Sequence, residues 1–314
     1  MRENAHQAHS WARDSMRLAR VPAPAIGSWS GCVRLLSLSL GLLAVVITPT
    51  PARATEEDFG SAAIVGIGGA YAATPDDAAT IWFNPALASL SRSFARTSLA
   101  TRKLYQLEAL ESKTGSLVMH LGRGLTMGTG FTQFGQSGLY QETEAVLTAA
   151  IEPRRNWTVG TGLHYHRVEF GDNVKAYAGA SLDVGIASRP VHGIVASIAF
   201  RRVRIERLYE ADDPPTILEL SSAWEGPGIT LAGIWSKSSG TQSQFGIGQC
   251  LLVARNVAWG AGLVFLSGLR FDPVRYSLGG RVIGNKGSLD YVYQSHPDLG
   301  GTHVIGISFR IPGP

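Results

Sequence analysis

The sequence predicts an all-β protein: a transmembrane antiparallel β-barrel of about fourteen strands with a small helical element ahead of it. Three observations carry this. The chain starts like a secreted protein, no later stretch is apolar over the roughly 20 residues a membrane helix needs, and most of what remains alternates with a period of two.

The secretory start comes first. Residues 35–47, LLSLSLGLLAVVI, form an apolar run of thirteen behind Arg34, followed by Pro49, Pro51 and the small-residue triplet Ala52-Arg53-Ala54. A run this short with a basic flank and an A-x-A-like site reads as a cleaved signal peptide over residues 1–54. The mature chain then begins near Thr55, and Met16, with Arg17 and Arg20 behind it, is as good a start as Met1. Cys32 precedes the apolar run, so it is not a lipobox cysteine and leaves with the signal. The mature chain keeps Cys250 alone and has no intramolecular disulfide. Six arginines and two acidic residues also leave, so the formal charge of +4 falls to 22 basic against 22 acidic residues. A neutral chain gives no electrostatic reason to propose a nucleic-acid partner.

Residues 55–92 differ from the remainder. A Gly/Ala-rich start, GSAAIVGIGGAYAAT, runs into PDDAATIWFNPALASL. Asp76 or Asp77 can cap a short helix with Pro75 at its start, and Pro85 would end or kink it.

From residue 93 the chain divides into segments mostly of about 9 to 14 residues. Over 174–186 the even positions are Val174, Ala176, Ala178, Ala180, Leu182, Val184 and Ile186, while the odd ones include Lys175, Ser181 and Asp183. Trp157, Val159, Leu163 and Tyr165 alternate with Thr158, His164 and His166, and Val257, Trp259, Leu263 and Phe265 alternate with small residues. Period two puts alternate residues on opposite faces of a sheet. Strands are placed at 94–104, 105–121, 125–134, 139–151, 157–169, 174–187, 192–203, 216–224, 229–237, 243–253, 257–266, 271–283, 288–294 and 302–311. Every second connection is tight (GRG, EPRRN, ARN, GNKG), as in an outer-membrane barrel with both termini periplasmic. The second strand is the weakest, because ESKTG at 111–115 also reads as a turn. A soluble sandwich or propeller shares the alternation, but it does not account for the asymmetric turns or for Trp157, Trp224, Trp235 and Tyr276 near strand ends, where an interfacial girdle lies.

GIGGAYAATPDDAATIWFNPALASL, residues 66–90, resembles the N-terminal hallmark of FadL-like and PorV/PorQ-like outer-membrane proteins, with its Gly-Gly-Ala, D-D-A and N-P-A steps. LDYVYQSHPDLGGTHVIGISFRI, residues 289–311, resembles the closing hairpin of the PorV/PorQ-like group. The resemblance implies the outer membrane of a Gram-negative bacterium, a plug over 55–92 and a barrel over 93–314. It implies that Asp76, Asp77, Trp82, Phe83, Asn84, Pro85 and Ala86 form the plug in the periplasmic end of the lumen. Leu87 departs from the family's N-P-A-G, and the chain ends in Pro312-Gly313-Pro314 rather than on a strand-terminal aromatic. The FadL side of the resemblance implies uptake of hydrophobic, fatty-acid-like molecules. The PorV/PorQ side implies instead a component of protein secretion or surface sorting that binds a protein. An apolar lumen lining beside Trp82 and Phe83 would favour the first, and a sealed polar interior with large loops the second.

The remaining candidates have plain readings. His164 and His166 lie two apart on the lumenal face, a chelating spacing, but no third ligand is evident nearby in the sequence, so they read as solvated interior histidines and no metal is expected. Lys175, Asp183, Arg275 and Arg281 fall on lumenal positions where they can pair with one another. Asp212 and Asp213 belong to a loop, and Cys250 is a small interior filler. The Gly-rich stretches lack the context of a dinucleotide fingerprint, and no Ser, His and acid set has the setting of a hydrolase. The chain therefore reads as a non-enzyme without a cofactor. Its expected partners are outer-membrane lipid, a hydrophobic ligand and the assembly machinery.

Overall fold

The computed structural model describes residues 60–91, 93–171, 176–206, 215–239, 243–266, 273–296 and 300–313. The signal segment, the cleavage site, Lys175, Asp212 and Asp213 lie outside them.

Fourteen antiparallel strands close on themselves, each paired with its sequence neighbours and β1 with β14. They are β1 (Ser93–Lys103), β2 (Glu111–Gly122), β3 (Leu125–Gln136), β4 (Tyr140–Arg154), β5 (Trp157–Phe170), β6 (Tyr177–Ser188) and β7 (Ile194–Glu206), followed by β8 (Ile217–Gly226), β9 (Ile229–Ser238), β10 (Ser243–Ala254), β11 (Val257–Leu266), β12 (Pro273–Ile283), β13 (Gly287–His296) and β14 (Gly300–Pro312). Closure leaves no unpaired edge, the condition for a sheet to stand in hydrocarbon. At the end that carries both termini, two to five residues connect the strands. One of these hairpins, at Arg123 (φ 52°) and Gly124 (φ 75°), has both central residues left-handed, the twist that matches paired strands.

The alternation read from the sequence is the alternation of the wall. Along β5, Trp157, Val159, Leu163 and Tyr165 are exposed, while Thr158, Gly160, Gly162, His164 and His166 are buried. Mid-strand Leu99, Leu147, Leu220, Ile247, Leu278 and Ile305 likewise face out, so the barrel presents an apolar belt. Trp157, Trp224 and Tyr276 are exposed near strand ends, as a girdle requires, and Trp235 is half-buried.

The second strand begins later than the sequence predicts. Residues 104–106 and 108–110 form two 3-10 turns, with Tyr105 and Gln106 at positive φ, and ESKTG is the first part of β2 rather than a turn. The apolar run LYQLEAL imitates a strand, yet its backbone turns there.

Residues 60–91 run inside the barrel. One short helix, α1 (Ala62–Gly66), packs on β11 to β14, and 3-10 turns over Tyr71–Ala73, Ala78–Trp82 and Pro85–Leu90 pack on β7 to β9, β1 to β3 and β3 to β6. The inner segment therefore touches most of the wall. Its side chains make the main core: Ile64, Tyr71, Ile81, Trp82, Phe83 and Leu87 cluster with Val118, Val146, Ala187, Val195 and Ala223 of the strands. Burying each large apolar side chain stabilises this arrangement by about 1.5–3 kcal/mol.

Candidate functional site

Polar side chains fasten the inner segment at its three capping positions, Ser61, Asp77 and Asn84. Asp77 caps the turn Ala78–Trp82, its Oδ1 accepting from Ala79 N at 2.9 Å, and its Oδ2 accepts from Ser61 Oγ, the residue that caps α1. A single carboxylate thus ties two parts of the segment together. Pro85 ends this turn as the sequence suggests, and it also opens the next, where it takes the first position behind Asn84. Asn84 Oδ1 accepts from Ala86 N at 3.0 Å, and its Nδ2 donates to Ile198 O of β7 at 3.1 Å and Ile186 O of β6 at 3.4 Å. Asn84 is fully buried, so these bonds have no water to replace them. Asp76 is exposed.

Further fastenings come from the wall. Trp82 Nε1 donates to Ser116 Oγ of β2 at 2.8 Å, and Arg96 of β1 donates to Ala88 O at 2.6 Å. Thr126 of β3 donates to Ser89, and Ala72 N donates to Ser221 of β8. Leu87, the departure from N-P-A-G, is completely buried in the core, so it adds apolar contact where glycine would add none.

The lumenal glycines are the sockets for this segment, a role that sequence reading missed. A Cβ on Gly160 would lie 2.5 Å from Ala86 N, and one on Gly130 would lie 2.6 Å from the Trp82 ring. One on Gly185 would overlap Asn84 Oδ1, and ones on Gly248 and Gly262 would overlap the backbone at Ile67 and Gly68. The wall is thinned wherever the inner backbone approaches it.

A charged layer lies nearer the loop end, on β4 to β8. His164 Nδ1 stands 2.6 Å from Glu144 Oε1 and its Nε2 3.0 Å from Asp183 Oδ2, while His166 Nδ1 stands 3.3 Å from Glu144 Oε2. Arg201 reaches Glu219 at 3.0 Å and Arg202 reaches Glu144 at 3.6 Å. Both arginines point inward because the β6–β7 register slips beside Leu182, and Arg202 adopts a positive φ of 55°; its freed N–H donates to Asp183 Oδ1 at 2.7 Å. The layer touches the inner segment directly. Arg201 sits 5.2 Å over the Phe83 ring, Trp82 lies 6.1 Å from the His164 ring, and Tyr71 stacks on Phe83 at 5.1 Å. Burial, reinforced by the Glu219 charge, holds the Tyr71 phenol well above its ordinary pKa.

Two expectations change here. His164 and His166 are buried rather than solvated, and a third ligating group, Glu144, stands between them, because the β4–β5 register sets Glu144 opposite His166. Asp183 joins this layer, but Arg281 does not: it pairs with Asp290 across β12 and β13, in another part of the wall. Cys250 is half-buried among lumenal glycines, and Arg275 is also half-buried. A polar cavity of about 390 Å³ lies at the end with the tight turns, lined by Ser89, Leu90, Ser91, His120, Glu152 and Arg189 among others.

No family model matches the chain, and no curated protein matches it by sequence. Among solved structures, the CymD monoaromatic hydrocarbon channel aligns with a TM-score of 0.58 at 13% identity, over 80% of this chain and 98% of its own. A FadL homologue from Pseudomonas aeruginosa aligns at 0.55 and 12% identity, over 85% and 99%. The toluene transporter TodX of P. putida aligns at 0.54 and 11%, over 81% and 99%. This chain has the FadL/TodX barrel fold. At such identities the likeness is one of fold, and it accounts for nearly the full length of each of these channels.

Proposed function

We propose that the chain is an outer-membrane channel through which small hydrophobic molecules enter a Gram-negative cell, with the inner segment as its plug. One observation carries this reading: Tyr71, Ile81, Trp82, Phe83 and Leu87 of the plug pack on Val118, Val146 and Val195 as an apolar core inside a wall whose outer face is also apolar. An apolar solute gains nothing from a water-filled pore and needs apolar contacts inside the barrel. The plug supplies most of this core, so passage requires it to shift. Asp77 and Asn84 hold it through a few hydrogen bonds, while the glycine sockets make its seat shape-specific. The likeness to CymD, a monoaromatic hydrocarbon channel, and to TodX, a toluene transporter, supports the same class of solute. The secretion reading shares the N-terminal resemblance and adds the closing segment; the charged layer is the lumenal feature on its side, and the apolar core around Trp82 and Phe83 is the feature that favours transport. On this reading the wall meets outer-membrane lipid, the chain performs no chemistry on its solute, and outward Phe309 or Ile311 is the strand signal available to assembly machinery.

Cells carrying the chain should take up radiolabelled toluene or decanoate faster than cells lacking it, with no change for a labelled disaccharide. Equal uptake of the apolar solutes, or faster uptake of the sugar, would overturn the proposal.

A further inference from the structure

The lumenal cluster of Glu144, His164 and His166 has the donors, the spacing and the supporting contacts of a transition-metal site. One ligating atom from each lies within 4.8 Å of the others, and the three residues are at most 8% exposed. A tetrahedral Zn²⁺ with bonds of about 2.0–2.1 Å places neighbouring donors roughly 3.3 Å apart. Here His166 Nδ1 is 3.3 Å from one Glu144 oxygen, the spacing of two donors on one ion, while His164 Nδ1 is hydrogen-bonded to the other at 2.6 Å and would open by a few tenths of an ångström to admit the ion.

The far sides of both rings are equally telling. His164 Nε2 faces Asp183 Oδ2 at 3.0 Å, and His166 Nε2 lies 2.9 Å from Ser181 Oγ. His164 Nδ1 is hydrogen-bonded to Glu144, and a cation bound by the two Nδ1 atoms and the carboxylate would take the place of the proton in that bond. The carboxylate behind His164 is also the usual outer support of a metal-bound imidazole. The charge around the cluster has the right sign. Glu144, Asp183 and Glu219 set three carboxylates against the two guanidiniums of Arg201 and Arg202 among the described residues of this layer.

We propose that Glu144, His164 and His166 bind one borderline divalent cation, of which Zn²⁺ is the type, joining β4 to β5 beside the Trp82 ring of the inner segment. Two imidazoles and one carboxylate select such an ion over Ca²⁺ or Mg²⁺, which take oxygen ligands. Three protein ligands leave a further position for water or a solute atom.

The test refolds the full chain into detergent with Zn²⁺ present, so that a closed lumen is no obstacle, then desalts it and counts metal by mass spectrometry. One Zn²⁺ per chain should remain. Glu144→Gln and His166→Ala should each lower affinity at least about tenfold, and Asp183→Asn about 10- to 100-fold. His120→Ala and Cys250→Ser, which remove donors elsewhere, should leave it unchanged. X-ray absorption of the unmodified protein supplies a readout that needs no variant: it should show nitrogen and oxygen ligands with imidazole scattering, and Co²⁺ should give the visible bands of a four-coordinate site. The proposal fails if the folded, heat-modifiable barrel retains no stoichiometric Zn²⁺, if sulfur appears among the ligands, or if folded Glu144→Gln and His166→Ala variants keep the metal as tightly as the unmodified chain.

Discussion

At the scale of single residues, the lumen is organised by what is absent as much as by what is present. Gly185 and Asn84 are the clearest pair, because the amide that hydrogen-bonds β6 and β7 occupies the space that a Cβ on Gly185 would take. Gly185→Val should therefore displace Asn84 and its neighbours while leaving the strand intact, since valine suits a strand better than glycine does. The expected outcome is a folded, heat-modifiable barrel in which backbone amides of residues 80–90 exchange hydrogen at least tenfold faster. Asn84→Ala removes the same hydrogen bonds without the steric clash, and loss of its buried bonds should destabilise the seat by about 1–3 kcal/mol. Hydrogen exchange on the two variants checks both statements, and unchanged protection over residues 80–90 in Gly185→Val would contradict the socket role.

At the scale of elements, the strands and their antiparallel order were legible and the registers between them were not. A period of two needs only the local sequence, and β5, from Trp157 to His166, alternates without an exception. The start of β2 was misplaced because LYQLEAL has strand-like residues, while the turn depends on the left-handed backbone of Tyr105 and Gln106. Asp77 and Asn84 were readable as caps, since Asp and Asn ahead of a short helical run carry that signal locally. Glu144 was readable in principle, by counting back from the 152–156 turn to the position opposite His166. Arg201 and Arg202 were not, because only the slipped register of β6 and β7 turns two consecutive residues inward. The role of the lumenal glycines was hidden for a related reason: the atoms that fill their space come from residues 60–91, far away in sequence. These fastenings lead to a prediction for the element as a whole. An Asp77→Ala, Asn84→Ala double variant should insert normally and show raised single-channel conductance in planar bilayers, because it loosens the inner segment and leaves the wall ladder complete. Unchanged conductance in a folded barrel would mean that residues 75–90 do not gate the lumen.

At the scale of the whole molecule, the fold has two opposite surfaces made from one alternation, and each constrains substitutions differently. The inner face is a tight fit around the inner segment and the charged layer, so even small lumenal residues are committed: Ser181 is buried and bonded to His166, and a long side chain there would break the layer instead of entering an open channel. The outer face is an apolar belt, which on the proposed reading meets lipid, where side chains of many shapes are tolerated but charge is not. Leu163, half exposed at the middle of β5, tests this with a neighbour on each face. Leu163→Arg places a guanidinium near the bilayer midplane, where it should cost about 2–4 kcal/mol. Leu163→Phe adds bulk without charge and should cost little in a surface that need not interdigitate with protein. Urea unfolding in liposomes, followed by tryptophan fluorescence, measures both. In detergent micelles, which deform around a charge, the arginine penalty should shrink. A penalty of the same size in micelles and bilayers would show that Leu163 packs against protein, and the outward assignment of β5 would fall with it.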